Sequence, residues 1–279
     1  MKVYKHLISR RGISLLEVLL ALVITGVITT ALFKAYLVQH QNYMTQDDIT
    51  TIQQSTRAAI DELSKHVRMA GNDVPAGMPA IEASNTNPDT ITLTYRVDDC
   101  DVVLSDPMPQ PSAELKTAGD ISCFYEGQWV YIYDPADGAI NGEWFVITEV
   151  QVAANHVQHN TMSLSKKYPA DAVLLSLNRV KFFIDDTTNP DHPSLMILAP
   201  GMTSPQVYAE NITDLDFTYR MKNGTVVDEP VIADNIREVI ISITGRSDSP
   251  TNWDRDDGAQ DEYRSRTYTS SVNVRNLGS

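Results

Sequence analysis

Residues 10–34 read RRGISLLEVLLALVITGVITTALFK, and this stretch decides the fold of the N-terminal part of the chain. From Ile13 to Phe33 it contains 21 residues and a single charged side chain, Glu17. A helix rises about 1.5 Å per residue, so a helix of this length spans roughly 30 Å, the thickness of the hydrocarbon core of a bilayer. The sequence therefore predicts a transmembrane helix over residues 13–33.

The segment before this helix predicts its orientation. Residues 1–12 carry four basic side chains and no acidic one: Lys2, Lys5, Arg10 and Arg11. Basic residues next to a membrane span are retained on the cytoplasmic side. We therefore expect a cytoplasmic N-terminus, with the residues after Lys34 on the opposite side of the membrane.

Two common N-terminal segments explain this pattern less well. A secretory signal peptide has an uncharged apolar region of about 7–15 residues followed by an A-x-A-like cleavage site. The run here is longer, includes Glu17, and has only a poor site around Thr29–Ala31. A plain single-pass anchor fits the basic flank but has no use for Glu17, because a carboxylate within a membrane costs up to roughly 3 kcal/mol and usually marks function.

The order of residues from Arg10 to Glu17 resembles the processing site of type IV prepilins. Members of that family have a basic leader that ends in Gly, an apolar residue after the cleaved bond, and Glu as the fifth residue of the processed chain. The resemblance implies that residues 1–12 are a leader and that a prepilin peptidase cleaves between Gly12 and Ile13 and N-methylates Ile13. It also implies an assembly role for Glu17, which would pair with the N-terminal amine of a neighbouring subunit.

The helical pattern continues beyond the apolar run. Apolar residues recur every three or four positions and form one stripe: Ile49, Ile52, Ala59, Ile60, Leu63 and Val67. Gly71 is a natural C-cap, and Pro75 follows it as a stop. The sequence therefore predicts one long helix within residues 13–71. Gly26 fits two interpretations, a helix that loosens during assembly, as the resemblance implies, or close packing between helices.

Residues 72–279 predict a β-rich head. Short β-type runs alternate with turn residues and give eight candidate strands: Thr90–Val97, Gln128–Tyr133, Trp144–Val152, Val173–Ile184, Ser194–Leu198, Leu215–Met221, Glu238–Gly245 and Arg266–Arg275. The stretch Asp98–Ile121 is rich in Pro, Asp and Ser and is expected to be a long loop. The predicted fold class is α+β, with the second half of the helix packed on an antiparallel sheet.

Several segments of the head are similar to PilW-type minor pilins. They are Gly127–Tyr168, Ala209–Tyr219, Asn235–Ile243 and the closing run Ser271–Asn276. This resemblance implies the pilin fold and a minor pilin that primes pilus assembly at or near the tip. It implies an inner-membrane protein with a periplasmic head that later reaches the pilus on the cell surface. Its partners would be the prepilin peptidase, the major pilin, other minor pilins, the inner-membrane assembly platform and, before assembly, membrane lipid.

Two other functions stay open. A minor pseudopilin of a type II secretion system carries the same N-terminal motif, and neighbouring genes would distinguish it from a pilin. A membrane-anchored enzyme or binding domain is a different class. The sequence has no nucleophile elbow, zinc-protease motif, C-x-x-C pair or phosphate-binding glycine loop, so we expect neither catalysis nor a cofactor.

The redox state of the two cysteines, Cys100 and Cys123, depends on the location of the head. They would be free thiols in the cytoplasm, whereas outside it they are the only intramolecular pair that the sequence offers. A bridge between them would close a loop of about two dozen residues and stabilise the fold by roughly 3 kcal/mol.

The charge of the chain excludes one class of partner. The net charge is −14, and the residues after Gly12 carry 18 basic and 36 acidic side chains, a formal charge of −18. Phosphate binding needs clustered Lys and Arg, so nucleic acid is not expected as a partner.

Two groups of residues are candidates for metal ligands. His156 and His159 have an H-x-x-H spacing but no third ligand nearby in sequence, so we expect both on the surface. A second group offers oxygen ligands for Ca²⁺ or forms a solvated acidic loop, the interpretation we favour: Asp254, Asp256, Asp257, Asp261 and Glu262.

Overall fold

A computed structural model describes residues 14–230, 233–248, 250 and 263–277. The chain divides into two compact units, residues 1–50 and 51–279. Together they give the α+β class that the sequence predicts, with one long N-terminal helix and antiparallel sheets.

The described part of the first unit is helical. Helix α1 comprises Leu15–Met69, and its residues up to Thr50 belong to this unit. All side chains of residues 14–40 are exposed, including 12 large apolar ones between Leu15 and Phe33. By length and composition this helix can cross a membrane. The predicted helix is thus confirmed from residue 15 to residue 69.

In the second unit the last turns of α1 pack on sheets. Ile52, Ala59, Leu63 and Val67 are at most 1% exposed, so the predicted apolar stripe is confirmed there. The helix also buries three polar residues that the pattern does not single out, Thr56, Ser64 and His66. A Cβ on Gly245 would lie 2.5 Å from the Thr56 hydroxyl oxygen, so glycine at this position lets the helix approach the sheet closely.

Sixteen strands are present in the described residues, all in antiparallel pairs. They are β1 Ile81–Ser84, β2 Thr90–Tyr95, β3 Asp101–Val103, β4 Leu115–Lys116, β5 Trp129–Tyr133, β6 Glu143–Val146, β7 Glu149–Gln151, β8 His156–Gln158, β9 Val173–Leu175, β10 Asn178–Asp185, β11 Ser194–Leu198, β12 Gln206–Glu210, β13 Ile212–Met221, β14 Val226–Val227, β15 Ile236–Arg246 and β16 Ser265–Asn273.

Two of the four sheets form the main core with α1. The first sheet has the order β1-β2-β10-β11-β12, and the second has the order β14-β13-β15-β16. Inward-facing residues of both sheets and the buried side of α1 belong to one apolar cluster, whose largest fully buried members include Phe182, Phe217 and Tyr219. Alternate residues of β10 and β15 are buried, as expected for strands with one face on a core.

Residues 96–177 form an inserted lobe. They lie between β2 and β10, which are neighbours in the first sheet, and contain the third sheet, β3-β9-β5-β6, and a small fourth sheet, β4-β8-β7. The lobe has its own apolar core, to which Leu104, Leu115 and Phe145 contribute fully buried side chains.

The prediction of a long loop over Asp98–Ile121 is therefore wrong. This stretch contains β3 and β4, and five of its apolar residues are buried in the core of the lobe: Val102, Leu104, Met108, Leu115 and Ile121. Its many Pro and Asp residues break it into short strands, and each backbone pairing extends over only two or three residues.

Two of the predicted strands are each two strands in the structure. The run Trp144–Val152 covers most of β6, in the third sheet, and all of β7, in the fourth. The run Val173–Ile184 is continuously β-like in sequence, but β9 ends at Leu175 in the third sheet and β10 begins at Asn178 in the first. Leu175 and Leu177 are buried in a small cluster with Tyr131. The break falls at Ser176 and Asn178, isolated polar residues that also suit the alternating pattern of a single strand.

A buried arginine connects the lobe to the end of the helix. Arg96 is 9% exposed, and its guanidinium lies 2.7 Å from Asp73 and 3.0 Å from Asp101. Its Nε–H also donates to the carbonyl of Asp98. Asp73 follows α1 and the other two acceptors begin the lobe, so one side chain holds both segments in place.

Gly71 ends helix α1 as the sequence predicts. Its φ of 81° lies in the left-handed region, and a Cβ there would lie 2.8 Å from Leu277 Cδ2 and 2.9 Å from the carbonyl oxygen of Asn276. The side-chain amide of Asn276 in turn donates to the carbonyl of Arg68, at 3.2 Å. The C-terminal residues thus cover the end of the helix.

We expect Gly71→Ala to destabilise the head by about 2 kcal/mol, because alanine is strained at positive φ and its methyl group would displace the C-terminal residues. Thermal unfolding of the full chain in detergent measures this. Gly77→Ala is the matched control, since Gly77 also has positive φ but nothing lies within 4 Å of its Cβ position. Equal losses of stability in the two variants would show that the contact between Gly71 and the C-terminal residues does not stabilise the head.

His66 is buried between α1 and the first sheet. Its Nδ1 lies 2.7 Å from the hydroxyl of Tyr95 and its Nε2 lies 3.0 Å from Glu62. Burial lowers the pKa of His66 below 6.5, although Glu62 acts in the opposite direction. Burial also raises the pKa of Tyr95 to about 12, so its hydroxyl keeps the proton that it donates to His66. A neutral ring with a proton on Nε2 satisfies both contacts.

We expect the stability of the head to fall below about pH 6.5 partly through His66. The unfolded chain takes up a proton there while the folded protein does not, so the stabilisation is complete above that pH and is lost as the pH falls towards the lower folded pKa. Thermal unfolding of the His66→Gln variant between pH 7.5 and 5.0 should show a shallower pH dependence than the wild type. His40→Gln, on an exposed part of α1, should keep the wild-type slope. Parallel curves for wild type and His66→Gln would contradict the assignment.

Candidate functional site

Glu17 lies in the first turn of helix α1. The carbonyl of Ser14 accepts the N–H groups of Glu17 and Val18 at 3.0 and 3.2 Å, so the helix begins directly after Ser14. The first N–H groups of a helix lack partners within it and give this end a partial positive charge. A carboxylate is therefore favourable at this position even before any partner binds it.

The surroundings of Glu17 are apolar and exposed. Leu15 is 83% exposed, Leu16 is 77% exposed, and the adjacent Val18 is 53% exposed. Within the described part of the chain, no basic group lies within 4 Å of Glu17. The helix thus presents one acid on an otherwise apolar surface near its N-terminus.

The other polar groups of this segment are satisfied internally. The hydroxyls of Thr25, Thr29 and Thr30 each donate to the carbonyl four residues earlier, at 2.8 Å. Such bonds remove the cost of a free hydroxyl in lipid. Glu17 therefore differs from the threonines, because its charge needs a partner from outside this segment.

Gly26 lies on a shallow face of the same segment. Ala21, Thr25, Gly26 and Thr29 line this face, and nothing lies within 4 Å of the Cβ position of Gly26. Small residues permit a second helix to approach closely. The geometry permits close packing between helices.

The disulfide between Cys100 and Cys123 is confirmed. Their Cα atoms are 5.8 Å apart, and the bond joins positions separated by 23 residues. Cys100 is buried in the core of the lobe, directly before β3, while Cys123 lies between the buried Ile121 and Phe124. The bond thus fixes both ends of the segment that the sequence predicts as a loop.

The two candidate histidines have separate environments. His156 lies in β8, 3.4 Å from Glu114. His159 is only 3% exposed, so its predicted place on the surface is wrong. Its two ring nitrogens lie 2.6 Å from the carbonyl oxygen of Met162 and 2.8 Å from that of Ala113, and its ring packs edge-on against Phe145. Both ring nitrogens of His159 thus face backbone carbonyl oxygens, and the N–H of the ring donates to one of them.

The remaining candidates lie outside the described residues. These are the processing positions Gly12 and Ile13 and the acidic run Asp254, Asp256, Asp257, Asp261 and Glu262. In the described ranges, no group of three or more His, Cys, Asp or Glu side chains is placed to hold a metal ion.

The head contains a groove that the sequence does not predict. It has a volume of about 640 Å³ and is formed by the outer face of the first sheet, two tryptophans of the lobe, Trp129 and Trp144, and the turn after β11. The signal for it is the alternation in β5, where Trp129, Tyr131 and Tyr133 share one face and Val130 and Ile132 the other. An aromatic face on a short strand predicts a packing or binding surface, but the sequence does not say what covers it.

Comparison of the chain with family models, curated proteins and solved structures gives no match.

Proposed function

We propose that the chain is a minor pilin, a structural subunit that primes the assembly of a type IV pilus and is incorporated at or near its tip. In this proposal a prepilin peptidase removes residues 1–12 and methylates Ile13. The apolar part of α1 holds the protein in the inner membrane until it enters the filament. The chain acts as a building block and not as an enzyme.

The observation that supports this proposal most strongly is the position of Glu17. It is the only charged residue between Ile13 and Phe33, it lies in the first turn of α1, and apolar side chains surround it. An unpaired carboxylate is unfavourable in lipid, and an N-terminal amine released by cleavage after Gly12 would be equally unfavourable there. Pairing the two charges between neighbouring subunits offsets much of both costs.

The exposed apolar surface of α1 supports the same proposal. Residues 14–40 have no buried side chain, so this surface is available first to lipid and then to the helices of other subunits. The internally bonded threonines and the open position at Gly26 suit a helix that packs against others away from water. An anchor for a separate enzyme requires an apolar helix but no acid in its first turn.

The disulfide agrees with a head outside the cytoplasm. Disulfides persist in oxidising compartments such as the periplasm and are rare in the cytoplasm. The basic residues of the leader place the head on that side in our proposal.

Mass spectrometry of the N-terminus tests the proposal directly. In cells with a prepilin peptidase, we expect the protein to begin at a methylated Ile13, whereas in cells without the enzyme it should retain Met1 or the residue after it. A mature chain that begins beyond Phe33, or processing that does not depend on the peptidase, would contradict the proposal. A Gly12→Leu variant should remain uncleaved in both strains.

A further inference from the structure

The floor of the groove in the head is a row of four residues, one from each of four neighbouring strands, and three of them are polar. Strand register places Glu82 beside Thr92, Thr92 beside Lys181, and Lys181 beside Leu198. All four residues line the groove, on the face of the first sheet that is turned away from the main core. The floor therefore combines acceptors, donors and one apolar side chain in a fixed order.

The inserted lobe contributes an aromatic wall. Trp129 and Trp144 belong to neighbouring strands of the lobe, and both are only partly buried. Trp144 packs edge-on against Tyr131, with ring centroids 5.2 Å apart, and a Cβ on Gly201 would lie 3.0 Å from Trp129 Cδ1. Each indole is thus held by neighbours while part of it remains accessible from the groove.

An ion pair also lines the groove, together with the two tryptophans. Arg179 and Glu82 lie 2.7 Å apart, and their side chains are 42% and 39% exposed. Both residues, together with Trp144, also line a second cavity of about 370 Å³. The two cavities thus share three residues, so an extended ligand can contact the tryptophan and the ion pair together.

The charge in the groove differs from that of the rest of the head. The groove has two basic residues, Arg179 and Lys181, and one acidic residue, Glu82, whereas the residues after Gly12 carry twice as many acidic as basic side chains. No carboxylate within the described ranges lies within 4 Å of Lys181, whose ammonium group instead lies 5.3 Å from the centre of the Phe183 ring. The groove is therefore a local basic site that favours an anionic group.

From this combination we propose that the groove binds a short oligosaccharide that bears carboxylate groups, such as a uronic acid oligomer. A sugar ring presents a face of C–H groups, which packs on an indole, and a rim of hydroxyls that both donate and accept hydrogen bonds. Trp129 and Trp144 supply the apolar contact, and Arg179, Glu82 and Thr92 supply donors and acceptors together. Lys181 pairs with a sugar carboxylate. This proposal does not depend on incorporation of the chain into a filament.

Titration calorimetry of the purified full chain tests the proposal. The detergent should have no sugar head group, and the two probes are oligogalacturonate and the neutral maltohexaose. We expect saturable binding of oligogalacturonate, at least about tenfold tighter than that of maltohexaose, because a bond to a charged group contributes on the order of one such factor. Higher salt should weaken it. Tryptophan emission should change on binding, since two of the three tryptophans line the groove.

Matched variants locate the site. Lys181→Gln should remove the preference for oligogalacturonate, whereas Lys116→Gln, the same change on an exposed residue of β4, should keep it. Arg179→Gln should weaken the binding of both probes without a change in the unfolding temperature, since Arg179 lies outside the apolar cores. The proposal would be overturned if neither probe bound or if both bound equally. It would also be overturned if Lys181→Gln and Lys116→Gln lowered the affinity for oligogalacturonate equally. A groove that binds a protein segment instead would give the first of these results.

Discussion

Glu17→Gln protein should insert into the membrane as well as wild type but should be at least about tenfold less abundant in filaments. Removal of one member of a buried ion pair leaves the other charge without a partner, which costs about 3–5 kcal/mol, and each 1.4 kcal/mol corresponds to a factor of ten. The amide is cheaper than the carboxylate in lipid, so insertion itself should not suffer. Quantitative immunoblots of membrane and sheared filament fractions measure both quantities.

The control for this experiment removes a negative charge elsewhere on the same helix. Asp47 is exposed in α1 and lies beyond the apolar segment, so Asp47→Asn should leave incorporation unchanged. Mass spectrometry of the Glu17→Gln protein should still find Ile13 at the N-terminus, which separates a defect in assembly from a defect in cleavage. Incorporation of Glu17→Gln at the wild-type level would refute the pairing role.

The elements with a long regular pattern are those that the sequence predicts well. Helix α1 has one apolar run, one continuing stripe and a glycine at its end, and each of these features depends only on neighbours along the chain. The predicted bounds of the strands β11 and β15 lie within two residues of the observed ones. The disulfide was predictable because the sequence offers only one pair.

The inserted lobe shows where prediction from the sequence stops. Its strands are two to five residues long, and they pair with partners that are distant in sequence, as β3 does with β9. Short strands carry too little periodicity to identify, and burial of Leu104 or Leu115 results from contacts that no local pattern records. The groove is equally unpredictable, because Lys181 and Trp129 belong to different sheets and line one groove only in the folded chain.

A similar limit applies to the buried polar residues. His66 and His159 are both buried, and each ring nitrogen lies within 3.0 Å of a polar atom. Their partners come from segments up to 46 positions away. The sequence shows that a polar residue is present. The hydrogen-bond partner that offsets the cost of its burial is known only once the chain is folded.

Loss of the disulfide should destabilise the head by roughly 3 kcal/mol. In the chain-entropy model this is the stabilisation expected from a bond that closes a loop of about two dozen residues. The Cys100→Ala/Cys123→Ala protein should therefore unfold at a lower temperature than wild type. The loss should be greatest for the lobe, because the bond fixes both ends of the segment that contains β3 and β4.

Reduction provides the matched comparison for this variant. Dithiothreitol should lower the unfolding temperature of wild type towards that of the double variant, and it should have no effect on the double variant itself. Wild type that folds in an oxidising compartment should show no free thiol when denatured without reductant, since the two cysteines are the only ones in the chain. Two free thiols in protein isolated from its host would instead indicate a head in a reducing compartment, which would contradict both the bond and the proposed orientation in the membrane.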